Sequence, residues 1–334
     1  MSADATLDLF LKSLGVSVPT FAWLVLGLLL RRLDLVSETL VNRVSLLAFR
    51  FGLPLMLFAG AAQVDYGDLG SARYLLAGVV GALGVTLLSW GYSKLRAHPR
   101  ELQGIFVQSA FRSNLAIVGL ALCVAAYGPQ GTTLGALPVA LMTALYNVLA
   151  VWVLGATLGS GNGALSMFLD MLRNPLILGI AAGVLLAVSP LPVPAVVVPA
   201  SELLSAFFLP LVLVCIGASM DLSRLYRANT FTWEACAWRL LLAPLAVLLL
   251  AYLMGVRDEP LGVLFLLVAT PVAASSHVMV IVARGDGVLA ANIVVLSTLL
   301  SALTVTVGFF LLTLFNLVGQ VQEPMRYILM LAAG

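Results

Sequence analysis

Polar residues that can do chemistry gather in two short tracts of an otherwise apolar chain. One holds Gln108, Ser109, Arg112, Ser113 and Asn114, followed by Gly119. The other holds Thr270, Pro271, Ser275, Ser276 and His277. The chemistry on offer is recognition. A guanidinium, an amide and a row of hydroxyls can hold a small anion. Pro271 removes a backbone donor, and glycine or other small residues lower the cost of irregular backbone. Irregular backbone at membrane depth is tolerated only where it lines a cavity or is buried in protein. Helix N-termini exposed at such a break carry partial positive charge and attract anions.

Each of these residues also has a plainer reading. A central arginine costs about 2.5–3.5 kcal/mol on insertion scales. Arg112 is therefore either a cation facing a wet cavity, or a side chain snorkelling toward the end marked by Glu101. Asn114 either meets a polar substrate or bonds a neighbouring helix. His277 either binds an anion or is a packing residue. Tyr146 and Asn147 can face the same cavity, whereas Arg50 reads as structural. No Asp or Glu falls in the middle of an apolar segment: Asp65, Glu101, Asp170, Glu202 and Asp221 lie near ends. That argues against a sodium/proton antiporter, which carries its ions on buried carboxylates. There is no His-Glu-x-x-His and no Gly-x-Ser-x-Gly, so the reading is of no enzyme, no metal and no cofactor.

The elements that must position these tracts are membrane helices. Of the 334 residues 62% are hydrophobic and 10% charged, with a mean hydropathy of +1.10. No soluble fold hides that much apolar surface, so the partner is the lipid bilayer. A net charge of +2 gives no reason to expect nucleic acid. Cys123, Cys215 and Cys236 have no paired spacing and read as packing residues. Apolar segments of membrane-spanning length recur at 10–30, 42–63, 72–93, 102–126, 132–158, 171–189, 200–220, 236–255, 260–283 and 288–315. The first follows Asp4 and Asp8, not a basic leader, and reads as a membrane helix. Arg31, Arg32, Arg43, Lys94, Arg96, Arg100, Arg173, Arg224, Arg227, Arg239 and Arg284 fall in odd-numbered loops. The even-numbered loops and both ends hold only Lys12, Arg73, Arg257 and Arg326. The basic loops are expected in the cytoplasm and both termini outside.

The chain also repeats. A shift of 156 residues carries Pro19 onto Pro175, Gly27 onto Gly183, Pro54 onto Pro210, Asp65 onto Asp221, Leu69 onto Leu225 and Gly131 onto Gly287. The same shift brings the two polar tracts to equivalent places. The expected organisation is a first five-helix repeat over 1–159, a second over 160–315, and a short extracytoplasmic tail over 316–334. An odd number of spans per half inverts one half against the other. Secondary transporters use such inverted repeats, with substrate at the midplane beside interrupted helices. Gly179, Gly183 and the glycines 78, 81 and 84 read as close helix packing.

Several runs, taken in order, carry a resemblance. They are G-L-L-L-R-R at 27–32, F-G-L-P at 51–54, F-R-S-N at 111–114, R-N-P-L-I-L-G at 173–179 and A-A-N-I-V-V-L-S-T-L-L-S at 290–301. Here the chain resembles the auxin efflux carrier family, whose bacterial members look like malonate, malate and other organic-anion permeases. The resemblance implies an all-α polytopic fold of ten transmembrane helices in a 5+5 inverted repeat. It implies that broken helices 4 and 9 cross, often within a homodimer, in a bacterial inner membrane. The family's Asn before the crossover maps onto Asn114. Its crossover prolines map near Ala121 and His277, where this chain differs. The short 159–170 segment lacks the long loop of the plant carriers, which makes auxin a poor guess for the substrate. The expected function is secondary transport of a small carboxylate by alternating access. Arg112, Ser113, Asn114, Gly119, Asn147, Pro271, Ser275, Ser276 and His277 are the candidate site. A sodium-coupled bile-acid-type symporter and a non-transporting sensor of the same fold are the alternatives.

Overall fold

The computed structural model describes residues 3–63, 70–158, 175–222 and 228–319. Asp65, Leu69, Asp170, Arg173, Arg224, Leu225, Arg227 and the tail from 320 onward lie outside the described residues. Helix α1 (Ala3–Arg32) ends on its two arginines. Ser37 then caps α2 (Glu38–Leu47), its hydroxyl accepting from Leu40 N at 3.2 Å. A π-helical turn at Ala48–Gly52 leads directly into α3 (Leu53–Ala62). The turn precedes Pro54, whose missing N–H breaks the regular ladder and widens the helix locally. The same pairing recurs later: α10 (Thr230–Ala237), a π turn at Trp238–Leu242, and α11 (Ala243–Leu253) with Pro244 in its first turn.

Between these rods run α4 (Gly70–Leu95), α5 (Arg100–Phe111), α6 (Leu120–Tyr127), α7 (Pro129–Leu158), α8 (Pro175–Val188) and α9 (Val197–Ala218). The chain continues through α12 (Asp258–Val268), α13 (Ser275–Val282) and α14 (Gly287–Leu314). Among the described residues, six helices are long and apolar enough to cross a membrane. The expected spans at 102–126 and 260–283 are each divided by a break, and α8 has only 14 described residues. No β-strand occurs among the described residues.

The outside of the bundle is greasy. Leu87, Leu185, Leu203, Leu253 and Leu303 are all at least two-thirds exposed. In water this surface would aggregate; in lipid it is the expected exterior. Several hydroxyls inside the helices are satisfied locally. Thr86 donates to Ala82 O at 2.8 Å, Thr298 to Val294 O at 2.7 Å and Thr306 to Ala302 O at 2.7 Å. That back-bonding lets a hydroxyl sit in an apolar helix without an orphan donor.

Two helix pairs approach at backbone distance. Helix α1 packs on α9 and α3 on α8. A Cβ added at Gly27 would collide with the carbonyl of Val214, and one at Gly183 with the carbonyl of Phe58. In lipid, helices associate by close packing of this kind, because apolar side chains gain nothing by leaving the tails.

The structure corrects one sequence expectation here. Arg239, expected among the cytoplasmic loop charges, is 1% exposed and sits inside the α10–α11 rod. Pattern alone placed it one turn from a helix start, where a charge normally faces water.

Candidate functional site

Helix α5 stops at Phe111, and the chain resumes in a π turn at Leu115–Gly119 before α6. Helix α12 stops at Val268, and the chain resumes at Ser275 in α13. The two gaps meet. Asn114 N donates to Pro271 O at 2.9 Å and Ala273 N donates to Arg112 O at 3.1 Å, making an antiparallel bridge between Ser113 and Val272. Each break satisfies the other, as apolar surroundings require. The backbone that this leaves over is met by side chains. Val272 N donates to Ser297 Oγ at 3.1 Å, and Thr270 Oγ1 donates to Leu267 O at 2.9 Å.

Among the described residues the buried charged side chains are Arg112 and Arg239, both cations. Arg112 Nη2 donates to Asn147 Oδ1 at 2.7 Å and to Ser275 Oγ at 3.1 Å. Its Nε and Nη1 are buried with no protein partner. Arg239 points the other way. Its Nη1 donates to Ala110 O at 2.9 Å and its Nη2 to Val268 O. These are last-turn carbonyls of α5 and α12. They are acceptors that a helix end leaves unsatisfied, at the negative pole of the helix dipole.

A cavity of about 610 Å³ opens beside the bridge. Its lining joins the polar residues Arg112, Ser113, Asn114, Asn147, Tyr146 and Ser275 to the apolar Val151, Leu176, Ile216, Val278 and Val282. Leu115, Ala116, Ala273 and Ala274 also line it, so the N-terminal ends of both resumed helices face the space. First-turn N–H groups lack intrahelical acceptors and favour negative charge. Tyr146 shares a 3.2 Å hydrogen bond with Ser113 Oγ and neighbours the Arg239 guanidinium. Phe111 packs against the Tyr146 ring, centroids 5.6 Å apart.

Of the candidate residues, Arg112, Ser113, Asn114, Asn147 and Ser275 surround this cavity. Gly119, Pro271, Ser276 and His277 do not line it. Gly119 is buried against Leu267. Pro271 contributes its carbonyl to the bridge. Ser276 is buried with its hydroxyl unpartnered, and His277 Nδ1 is likewise buried without a partner. The positions near which crossover prolines were expected, Ala121 and His277, lie inside α6 and α13, past the gaps and not within them. Sequence reasoning missed Arg239 and Ser297. For Ser297 no local signal exists, since serine in an apolar helix usually back-bonds.

No curated protein matches the chain. A family described as membrane transport protein matches residues 14–309, which spans both polar breaks and all the helices packed around them. The chain belongs to that family, the auxin efflux carrier family, and is a multi-pass membrane transporter.

Proposed function

We propose that the protein is a secondary transporter of a small organic anion, a mono- or dicarboxylate, working by alternating access. The observation that carries this reading is the state of Arg112. It is a buried cation with two unpartnered guanidinium nitrogens, lining a cavity flanked by two helix N-termini. An intramembrane charge of this kind is costly unless it is used. A carboxylate placed there gains charge-assisted hydrogen bonds and relieves the orphaned donors. With one cation and apolar walls, the site favours a monocarboxylate with an apolar body over malonate or malate.

The ten-span, 5+5 inverted architecture is part of the proposal, and the helix contacts support it. Gly27 against Val214 and Gly183 against Phe58 are related by the 156-residue shift. The hydrogen bonds across the bridge are reciprocal as well. By the arginine distribution the basic loops are cytoplasmic, with both termini outside a bacterial inner membrane. A homodimer fits the same reading.

The test is flux in proteoliposomes against a panel of carboxylates, with ligand-induced thermal stabilisation read alongside. Saturable counterflow of at least one carboxylate, strongest for monocarboxylates, is expected. Binding without flux would make the protein a sensor, and strict dependence on sodium would favour the bile-acid-type mechanism. No binding by any carboxylate would sink the proposal.

A further inference from the structure

The two buried arginines divide the labour, and only one of them faces the cavity. We infer that Arg239 is a positioning residue that ties the two broken helices into one unit during transport. The inference rests on the transport reading above for its kinetic arm only.

The argument starts from helix ends. Helices α5 and α12 stop in the protein interior, where their final carbonyls cannot reach water. Each unmet acceptor costs free energy, and each helix places a negative pole at its break. One guanidinium answers both, through separate nitrogens to Ala110 O and Val268 O. A planar fork can bridge two acceptors in fixed geometry, which a lysine ammonium on a flexible stem does poorly. Its Nε remains buried and unpartnered, so the residue is not placed there for its own satisfaction. The same guanidinium neighbours Tyr146, whose hydroxyl bonds Ser113 on the bridge. The next residue, Asn147, holds Arg112. Arg239 thus sets both helix ends directly, and the cavity wall through Tyr146, without touching the cavity itself.

The consequence is a separation of binding from movement. Arg112 keeps the substrate anchor when Arg239 is lost. What fails is the registration of the two breaks, which must hold together through each change of conformation. Arg239→Gln has a single donor nitrogen on a shorter side chain and cannot reproduce the two-nitrogen bridge. It is expected to lower turnover per folded molecule at least about tenfold while KM stays within about threefold, because misplacement costs rate more than contact. Arg239→Lys is expected to recover a minor part of the turnover, and Tyr146→Phe to have a smaller effect in the same direction.

A ligand-independent measurement runs beside the kinetics. Hydrogen exchange over 108–119 and 268–276 reports the Asn114 and Ala273 amides that close the bridge. In Arg239→Gln these segments are expected to exchange faster while α1, α7 and α14 keep wild-type protection. That outcome supports the inference even if no tested carboxylate is transported by the wild type, a result that would count against the proposed function alone. Wild-type exchange in both segments would overturn it. So would folded Arg239→Gln with unchanged kcat and KM, or with KM raised and kcat intact. Should Arg239→Gln fail to fold, Arg239→Lys is read in its place by the same criteria.

Discussion

The two breaks solve one problem with different residues. The first spans Arg112 to Asn114, three polar side chains with no proline. The second spans Ala269 to Ala274 and is made of Pro271, Thr270 and small apolar residues. In the first, the side chains do the work: Arg112 reaches Asn147 and Ser275, and Ser113 reaches Tyr146. In the second, the backbone is irregular by composition and is held from outside by Ser297. On the proposed reading the first break carries the recognition chemistry, and the second supplies a frame against which it is held. A helix can be interrupted in lipid by either route, but only a polar interruption leaves donors free for a ligand.

If that division is right, mutations at the two breaks should fail in opposite ways. Arg112→Gln removes the free guanidinium nitrogens. Losing a buried charged partner costs about 2–5 kcal/mol, so apparent affinity for a carboxylate should fall at least about 30-fold. Thermal stability in detergent should hold or rise, since a desolvated cation with unmet donors is gone. Uptake that survives, or a protein that unfolds, would erase the contrast. Ser297→Ala tests the frame. It strands the buried Val272 N–H, which costs about 1–3 kcal/mol of stability. KM in proteoliposomes should stay near wild type while the melting temperature drops. A selective loss of affinity in that variant would put Ser297 among the residues that meet substrate.

The same contrast explains what could be read before folding. Membrane-spanning character follows from composition, because 62% hydrophobic residues leave no soluble alternative. The two polar tracts stood out for the same reason: charge and amide groups are expensive where they are, so their presence is informative. Arg112, Ser113, Asn114, Asn147 and Ser275 do gather at one cavity. Position along a helix was the weak point. A helix turns about 100° per residue, so Ser276 and His277 leave the face that Ser275 occupies. Arg239 was invisible because local sequence ranks an arginine near a helix start as a surface charge. Only the meeting of two helix ends from distant parts of the chain makes a buried acceptor pair for it. Ser297 was hidden likewise, its partner 25 residues away across a break that no pattern places in contact.

His277 gives the smallest expected effect and the finest test. It lies just after the second break, in the more polar part of a short helix, and sequence alone makes it a tempting anion ligand. In the structure the ring is half-buried beside the Gly287 turn and does not line the cavity. His277→Gln keeps a polar side chain of similar reach. Uptake should therefore stay within about twofold of wild type, since side chains that touch neither ligand nor partner change free energies by only a few tenths of a kcal/mol. The decisive measurement is the uptake profile between about pH 5 and 8, in wild type and variant. Superimposable profiles keep recognition at the first break. A pH dependence that vanishes in His277→Gln would bring the second break into contact with the substrate in another conformation, and would turn the frame into a second half of the site.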